Sequence, residues 1–392
     1  MPQYRSAGIL PPKRHTQFSI SESAIAYEEM FTMQGFGDIY SLLYHAHPPT
    51  EVLEIEPSIP VPTLEWTCES HRHHLLDAAA LAGGGNFFES RRPLFFNDDI
   101  TVSIASPDRS DECFYRNALC DELVGVGKGE GELHTPFGVI RYGPGDLIVI
   151  PRGTTQFWKF DASSEQLLLV IESKSTITPP SRYLTRLGQF AFHSPISERD
   201  VRAPQFVEPR VQRGRFRIRI KTGDQLTVYH YARHPFDALG WDGYLYPYAI
   251  NMREFEPVTR RIHTMPDQAQ IFETNGAAIC CLVPRLLDYH PKAIPAPPYH
   301  SSVDVDEIIF NMSSTFMGWK RPSLGVMTFH PRGIVHGSKP GGYEGSIGMK
   351  EFDAFALMID AANPLKLTRY AQQCDDVSYP SVWLEEPAAA AD

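Results

Sequence analysis

Short apolar runs separated by turn residues dominate the chain, and this pattern predicts strands more than helices. In the first half, the apolar run at residues 147–150 ends at the turn sequence Pro151-Arg152-Gly153. Proline fixes φ in such a turn and glycine accepts a positive φ, so a second strand can follow at once. The glycine-rich residues 127–133 and the stretch at 134–146 indicate hairpins, which also suit a small antiparallel barrel.

The same pattern occurs twice in the chain. Each copy has a glycine, five intervening residues, the turn sequence Pro-Arg-Gly, and a polar residue three positions after that turn. An Asp-Glu pair leading into an apolar run precedes each copy. An internal repeat of this kind predicts two copies of one β unit. The two copies are Asp121-Glu122 with Gly145 to Gln156, and Asp306-Glu307 with Gly325 to His336.

The spacing around Pro-Arg-Gly resembles the second motif of the cupin superfamily. We therefore expect an all-β protein with two cupin-like barrels of the double-stranded β-helix or jelly-roll type. Residues 1–250 are predicted to hold a metal-free barrel and a connecting layer that includes a strand at 215–220. Residues 251–392 are predicted to form the second barrel, which carries the metal site.

Composition narrows the class of protein. Apolar residues make up 42% and charged residues 21% of the 392 residues, which is typical of a globular chain. Acidic residues outnumber basic ones by 47 to 36, so we expect neither nucleic acid nor an anionic membrane as a partner. Apolar runs fall short of the ~20 residues that cross a bilayer. The first residues lack a signal-peptide core, so a cytoplasmic protein is expected.

Strand periodicity selects one carboxylate in the second half. Alternate residues of a strand share a face, which places Glu307 with Val303, Val305 and Ile309. A carboxylate on such an apolar face would be buried, and a buried charge needs a cation. Glu307 is therefore the predicted metal ligand, and a buried salt bridge is the alternative.

Two histidines complete a candidate metal set. His300 lies seven residues before Glu307, and His336 follows the second Pro-Arg-Gly turn. Two imidazoles and one carboxylate form the facial arrangement with which non-haem Fe(II) oxygenases leave positions open for reactants. We therefore predict one Fe(II) per chain, held by His300, Glu307 and His336.

The first half serves as an internal control. Glu122 matches Glu307, but Tyr115 and Gln156 stand where the second half has its two histidines. Phenol and amide groups bind ferrous iron poorly compared with imidazole. The first barrel is therefore expected to bind no metal.

Other histidines are weaker candidates on sequence alone. His330 ends the strand before the second turn and His263 precedes the second barrel. Either could act as an acid or base near neutral pH. The run at residues 71–74 contains three histidines, but no carboxylate accompanies it, so a solvated segment is predicted there.

The sequence resembles the homogentisate 1,2-dioxygenase family over most of its length. The resemblance implies that His300, Glu307 and His336 are iron ligands and that His263 is the catalytic histidine. It also implies substrate contacts for His330, Tyr299 and His336. The segments that carry it are Gln34 to Phe36, Ser41 to His45, Pro235 to Asp237, Gly240 to Gly243, Pro247-Tyr248, His263 to Phe272, Pro297 to His300, Glu307 and His330 to Gly337.

The same resemblance implies the reaction and the assembly. Homogentisate and O₂ would give maleylacetoacetate in tyrosine and phenylalanine catabolism, and the chain would form a homo-oligomer, a trimer or hexamer. Two departures affect the substrate: Ser301-Ser302 replace an Arg-Asn pair of the animal members, and Phe316 stands nearest to a substrate-binding tyrosine. The alternatives are another hydroquinone- or gentisate-type substrate, a non-catalytic binding protein, and a zinc or manganese isomerase.

Overall fold

The computed structural model describes residues 3–81, 83–161, 163–265, 269–313 and 323–384, and strands dominate these residues. The strands up to residue 251 are β1 (Arg5–Gly8), β2 (Ser19–Ser21), β3 (Ala24–Ile25), β4 (Tyr27–Thr32), β5 (Tyr40–His45), β6 (Val52–Ile55), β7 (Ile59–Pro60), β8 (Glu65–Trp66), β9 (His74–Asp77), β10 (Arg91–Phe96), β11 (Ile100–Ala105), β12 (Phe114–Asn117), β13 (Asp121–Lys128), β14 (Gly131–Thr135), β15 (Gly138–Tyr142), β16 (Asp146–Ile150), β17 (Thr155–Phe160), β18 (Leu167–Ser173), β19 (Arg213–Thr222), β20 (Gln225–Arg233), β21 (Ala238–Gly243) and β22 (Tyr248–Asn251).

The later part of the chain adds fewer elements. Its strands are β23 (Gln270–Glu273), β24 (Ala277–Leu282), β25 (Arg285–Leu286), β26 (Asp306–Asn311), β27 (Val326–His330), β28 (Glu351–Phe352), β29 (Ala356–Ala361) and β30 (Lys366–Thr368). Its α-helices are α1 (Gly342–Gly345) and α2 (Arg369–Cys374). Short 3₁₀ turns lie at Ala78–Ala80, Ser181–Tyr183, Met252–Glu254 and Tyr379–Leu384. Within the described ranges, none of the helices is long and apolar enough to cross a membrane.

The first barrel is built from two sheets. One has the order β22-β16-β13-β18-β11-β10-β30-β8, and the other has β15-β14-β17-β12-β19-β20-β6. Strand β13 lies between β16 and β18, so Leu123 faces Val149 on one side and Ile171 on the other. The predicted strand at 147–150 is confirmed as part of β16, and the predicted hairpin is β14–β15.

The second barrel uses one main sheet with the order β23-β24-β29-β26-β27-β9. Its central strands β26 and β29 are antiparallel, and the register places Glu307 opposite Asp360. Apolar side chains from neighbouring strands pack together below that level, among them Cys280 and Met358 with the partly buried Ile309. The carboxylates of Glu307 and Asp360 therefore lie next to a cluster of apolar side chains on the same sheet. Together the two barrels confirm the predicted all-β, double-cupin fold.

Each barrel includes one strand from the other part of the chain. Strand β9, at residues 74–77, pairs with β27 of the second barrel, and β30, at residues 366–368, pairs with β10 of the first. The division into 1–250 and 251–392 stays a prediction, and these two exchanges show that strand pairing crosses it in both directions. One exchange places residues 71–74 beside the second barrel.

The connecting layer contains the predicted strand at 215–220. It forms the middle of β19, which pairs antiparallel with β20 and parallel with β12. Because β12 belongs to the first barrel, this hairpin extends the barrel's own sheet. A further sheet, β1-β21-β5-β4, carries the N-terminal segments against it.

Candidate metal centre

The internal repeat places one aspartate and one arginine in the same contact in each barrel. Nε of Arg332 donates to Oδ1 of Asp306 over 3.0 Å, and Nε of Arg152 donates to Oδ1 of Asp121 over 2.8 Å. The backbone nitrogen of each arginine also donates to that same oxygen. The aspartate of each Asp-Glu pair therefore fixes the Pro-Arg-Gly turn, and the neighbouring glutamate on the opposite face stays available for other chemistry.

His300, Glu307 and His336 converge in the second barrel. One ligand atom from each lies within 4.8 Å of the other two. Nε2 of His336 is 3.5 Å from Oε1 of Glu307, and Nε2 of His300 is 3.9 Å from Oε2. The two histidines are also joined through their backbones, since each nitrogen donates to the other's carbonyl over 2.8–2.9 Å. The structure thus brings together all three predicted ligands.

The hydrogen bonds of the two imidazoles decide which nitrogen faces the centre. Nδ1 of His300 donates to the carbonyl of Pro298 over 2.8 Å, and Nδ1 of His336 donates to that of Ile334 over 3.2 Å. A carbonyl only accepts, so in the neutral rings both Nε2 atoms present lone pairs. Two lone pairs and a carboxylate then meet without a donor between them, and Nε2 of the buried His336 makes no hydrogen bond. This donor set fits a divalent cation.

The charge state of Glu307 agrees with this arrangement. Its side chain is 9% exposed, and burial alone would raise its pKa. Hydrogen bonding from imidazole N–H groups, such as Nδ1 of His330, instead holds the pKa of Glu307 well below its ordinary value. The glutamate is therefore an anion at neutral pH, as a metal ligand must be.

His330 lies directly behind Glu307. Its Nδ1 donates to Oε1 of Glu307 over 2.8 Å, and its Nε2 is 3.2 Å from the hydroxyl of Tyr379. Its ring stacks on His336 with centroids 4.3 Å apart. His330 therefore orients one carboxylate oxygen and leaves Oε2 for the centre. The substrate contact predicted for His330 stays a prediction.

His263 is partly buried in the segment that precedes β23. Its Nδ1 is 3.7 Å from Oδ2 of Asp288, whose side chain is almost fully buried, while the imidazole is 23% exposed. Burial lowers the pKa of His263, and the nearby Asp288 opposes that shift. His300 is among the charges that act on this ring. His263 thus combines a buried carboxylate on one side with access to solvent.

The remaining predicted contacts are less central. Tyr299 is half-exposed, and its ring stacks on Tyr343 with centroids 5.7 Å apart. The carbonyl of Ser302 accepts a hydrogen bond from the backbone of Gly333, so the Ser301-Ser302 pair lies against the turn before His336. Phe316 lies outside the described residues.

Sequence reasoning missed Asp360. The register places it directly opposite Glu307, so the two side chains share a face at about 5 Å between Cβ atoms. Burial, with a smaller contribution from Glu307, raises the pKa of Asp360 to about 7. The signal that selected Glu307 is also present here, since Asp360 ends the apolar run at residues 356–359.

The prediction of a solvated segment at residues 71–74 is wrong for His73 and His74, whereas His71 is exposed. His73 and His74 are buried, and Nδ1 of His74 lies 3.1 Å from Oδ1 of Asp375. The carboxylate that the sequence argument did not find comes from the other end of the chain. Strand β9 carries His74 and the adjacent His73 against the second barrel, which removes these two side chains from solvent.

The first barrel has a different arrangement at the matching position. Nη1 of Arg91 donates to Oε1 of the fully buried Glu122 over 2.6 Å, and Nε2 of Gln156 donates to Oε2 over 2.7 Å. The hydroxyl of Tyr115 adds a contact of 3.2 Å. Asn117 also donates to Oε1, so Glu122 has a guanidinium and three neutral donors around it, whereas Glu307 has one imidazole donor and two imidazole lone pairs. The predicted lack of metal there stays a prediction, and Arg91 gives it a physical reason.

Comparison of the sequence with known proteins gives a family model and a curated relative. Residues 96–252 match the family model described as homogentisate 1,2-dioxygenase N-terminal. A protein of Saccharolobus solfataricus named "Putative dioxygenase" is 36% identical over 383 residues, covering 97% of this chain and 98% of its own.

Solved structures are more distant. A "Putative Glyoxylate Induced Protein" of Pseudomonas aeruginosa is 11% identical, covers 83% of this chain and 97% of its own, and gives a TM-score of 0.32. Oxalate decarboxylase of Bacillus subtilis, described with Mn(II) centres, is 11% identical, covers 71% and 76%, and gives 0.30.

Proposed function

The chain belongs to the homogentisate 1,2-dioxygenase family of cupin-fold dioxygenases, and from this premise we propose that it is an Fe(II)-dependent enzyme that cleaves the ring of homogentisate. The reaction consumes one O₂, places both oxygen atoms in the product and breaks one ring carbon–carbon bond to give maleylacetoacetate. One observation carries the proposal: two imidazole lone pairs and one carboxylate converge in the second barrel.

His300, Glu307 and His336 would hold the metal. Ferrous iron, when bound, would supply the coordination positions that bring an electron-rich ring and O₂ together and would let the ring's electrons pass to O₂. The protein's part is to fix the geometry, because a held pair of reactants no longer depends on a chance encounter. His330 serves this by fixing Oε1 of Glu307.

His263 is the proposed base for a substrate hydroxyl. Nδ1 lies 3.7 Å from Oδ2 of Asp288, and a ring that keeps its proton on Nδ1 beside that carboxylate has its lone pair on Nε2, which can take a proton from a bound phenol. The imidazolium that results lies beside a buried carboxylate, which stabilises it. The proton is thus held on Nε2 of His263 until the product leaves.

The rim of the site suits an aromatic substrate. His300 is 41% exposed and opens the centre to the surface. Tyr299 and Tyr343 form a stacked pair beside it, and an aromatic ring can pack against such a surface. Tyr299 is therefore the proposed aromatic contact for the substrate, and His336 contacts it through the shared metal.

A second candidate is the same ring cleavage on a hydroquinone or gentisate. Two features favour it: Ser301-Ser302 lack the positive charge of the Arg-Asn pair, and Asp360 adds a second carboxylate beside Glu307. Both reduce the attraction for an anionic group, so they favour hydroquinone over homogentisate and also over gentisate, whose ring carries a carboxylate. Binding of the substrate's acetate group therefore has to be tested directly.

The test is oxygen uptake by protein loaded with Fe(II) under anaerobic conditions. We expect uptake with homogentisate, with a product whose mass equals substrate plus O₂. Oxygen uptake with gentisate or hydroquinone but not with homogentisate would contradict the proposed substrate and support the proposed ring cleavage. Bound iron without uptake on any of the three would favour a non-catalytic binding protein. Conversion of the substrate to a product of unchanged mass, without oxygen uptake, by protein loaded with zinc or manganese would favour an isomerase.

A further inference from the structure

His71 and His73 contact the turn that carries a proposed metal ligand. Nε2 of His71 lies 2.9 Å from the carbonyl of Arg332, and Nε2 of His73 lies 3.2 Å from that of Val335. Both are donors in these contacts, because a backbone carbonyl only accepts. The two histidines thus bind the beginning and the end of the turn that leads to His336.

Arg72 and His74 point the other way. Arg72 forms an ion pair with Asp375, and Nδ1 of His74 contacts the other carboxylate oxygen of the same residue. This alternation is that of an extended chain, in which neighbouring side chains lie on opposite sides. Asp375 therefore anchors the segment so that His71 and His73 face the turn.

The contact of His73 acts on a single peptide unit. Its acceptor, the Val335 carbonyl, belongs to the peptide bond that joins Val335 to His336. The nitrogen of that same bond donates to the carbonyl of His300 over 2.8 Å. The unit that places the His336 imidazole is thus held at its oxygen by His73 and at its nitrogen by His300.

The ring of His73 also packs against the site. It meets the rings of His330 and His336 edge-on, at centroid distances of 5.3 and 5.8 Å. On its other side lies Trp383 at 5.0 Å, whose Nε1 donates to the carbonyl of Gly337. His73 is only 6% exposed. His73 fills the space between the 3₁₀ turn at Tyr379–Leu384 and the imidazole of His336, so that imidazole has little room to rotate.

We infer that His73 is a positioning residue for His336, acting through the carbonyl of Val335, and that it raises the affinity of the centre for its metal ion. The inference rests on the proposed function, since it takes His336 as a ligand. It extends that function, because the affinity of the second-barrel site then depends on a residue from the first quarter of the chain. Loss of such an outer contact typically lowers metal affinity 10- to 100-fold.

The experiment measures the affinity of the full chain for Fe(II) alone, by anaerobic calorimetric titration, with no substrate present. We expect His73→Leu to raise the dissociation constant about 10- to 100-fold. His73→Gln keeps an N–H that can reach the Val335 carbonyl, so its constant should return to within about threefold of the wild-type value. His47→Leu, which removes an imidazole from the first half, should leave the constant unchanged.

Melting of the metal-free proteins separates positioning from folding. If His73→Leu and His73→Gln lose metal affinity equally and melt earlier by the same amount, His73 has only a packing role. Unchanged affinity in His73→Leu also overturns the inference while leaving the proposed function intact. A wild-type protein that takes up no Fe(II) overturns both. The Co(II)-loaded proteins give a second readout, because a displaced His336 would alter the visible absorption of the bound metal.

Discussion

Arg91 and Glu122 form a buried ion pair of 2.6 Å at the place in the first barrel that corresponds to the metal centre of the second. Their side chains are 6% and 0% exposed. Burial alone would raise the pKa of Glu122, but the Arg91 guanidinium holds it below its usual range. The side chain of Arg91 thus neutralises Glu122 in the first barrel. We propose that a bound metal ion neutralises Glu307, its counterpart in the second barrel.

Arg91→Met should destabilise the protein by about 3–5 kcal/mol, because it leaves a buried carboxylate without its counter-ion. Denaturant unfolding measures the change. In the double variant Arg91→Met with Glu122→Gln no charge is left uncompensated, so most of the loss should be recovered. A double variant as unstable as the single one would mean that packing, and not charge, is the contribution of Arg91.

Glu307→Ala and His336→Ala should each abolish iron binding, since two remaining ligands cannot hold the metal at the affinity of three. Iron content after anaerobic loading is the measurement. Gln156→Ala is the matched control from the first barrel. It removes a hydrogen bond to Glu122, and we expect a stability loss of about 1–3 kcal/mol with iron content unchanged. Loss of iron in Gln156→Ala would contradict the assignment of the site to the second barrel alone.

His263→Ala should retain iron and lose turnover, and Asp288→Asn should lower kcat with little change in iron content. A positioned general base contributes about 10²- to 10⁴-fold, so the loss in Asp288→Asn should stay within that range. Steady-state oxygen uptake gives kcat and KM separately. Asp353→Asn, at an exposed carboxylate, is the control. Loss of iron in His263→Ala would make His263 a ligand.

His45 should make the stability of the first half depend on pH. Its Nδ1 is 2.8 Å from Asp237 and its Nε2 is 2.7 Å from Glu29. Burial alone would lower the pKa of His45, but the two carboxylates raise it above the ordinary value. The folded protein therefore binds the proton more tightly than the unfolded chain does. The stabilisation by protonated His45 is complete below the pKa of histidine in the unfolded chain, about 6.5, and is lost as the pH rises through the pKa of His45 in the folded protein.

Urea unfolding across that interval measures the effect. The wild-type free energy of unfolding should fall as the pH rises above about 6.5, and His45→Gln should remove this part of the slope. His47→Gln, which changes a neighbouring histidine, should keep it. A slope that persists in His45→Gln would assign the titration to another group.

Much of the candidate site follows from local sequence. The Pro-Arg-Gly turns, the Asp-Glu pairs and the alternation around residue 307 are short-range features, and they identified His300, Glu307 and His336, which the structure brings within 4.8 Å of one another. Comparing the two copies also identified Tyr115 and Gln156 as the counterparts of the two histidines. The structure confirms that correspondence, because Tyr115 faces Gln156 just as His300 faces His336.

The sequence by itself therefore determined the repeat, the strands and the three converging side chains. Only the tertiary structure decided what surrounds them: Arg91 beside Glu122, Asp360 opposite Glu307, Asp288 behind His263, and His73 against the turn before His336. The physical reason is that periodicity reports which face of its own strand a residue occupies. The neighbour across a sheet depends on pairing between distant segments, such as 74–77 with 326–329, and local pattern does not encode that pairing.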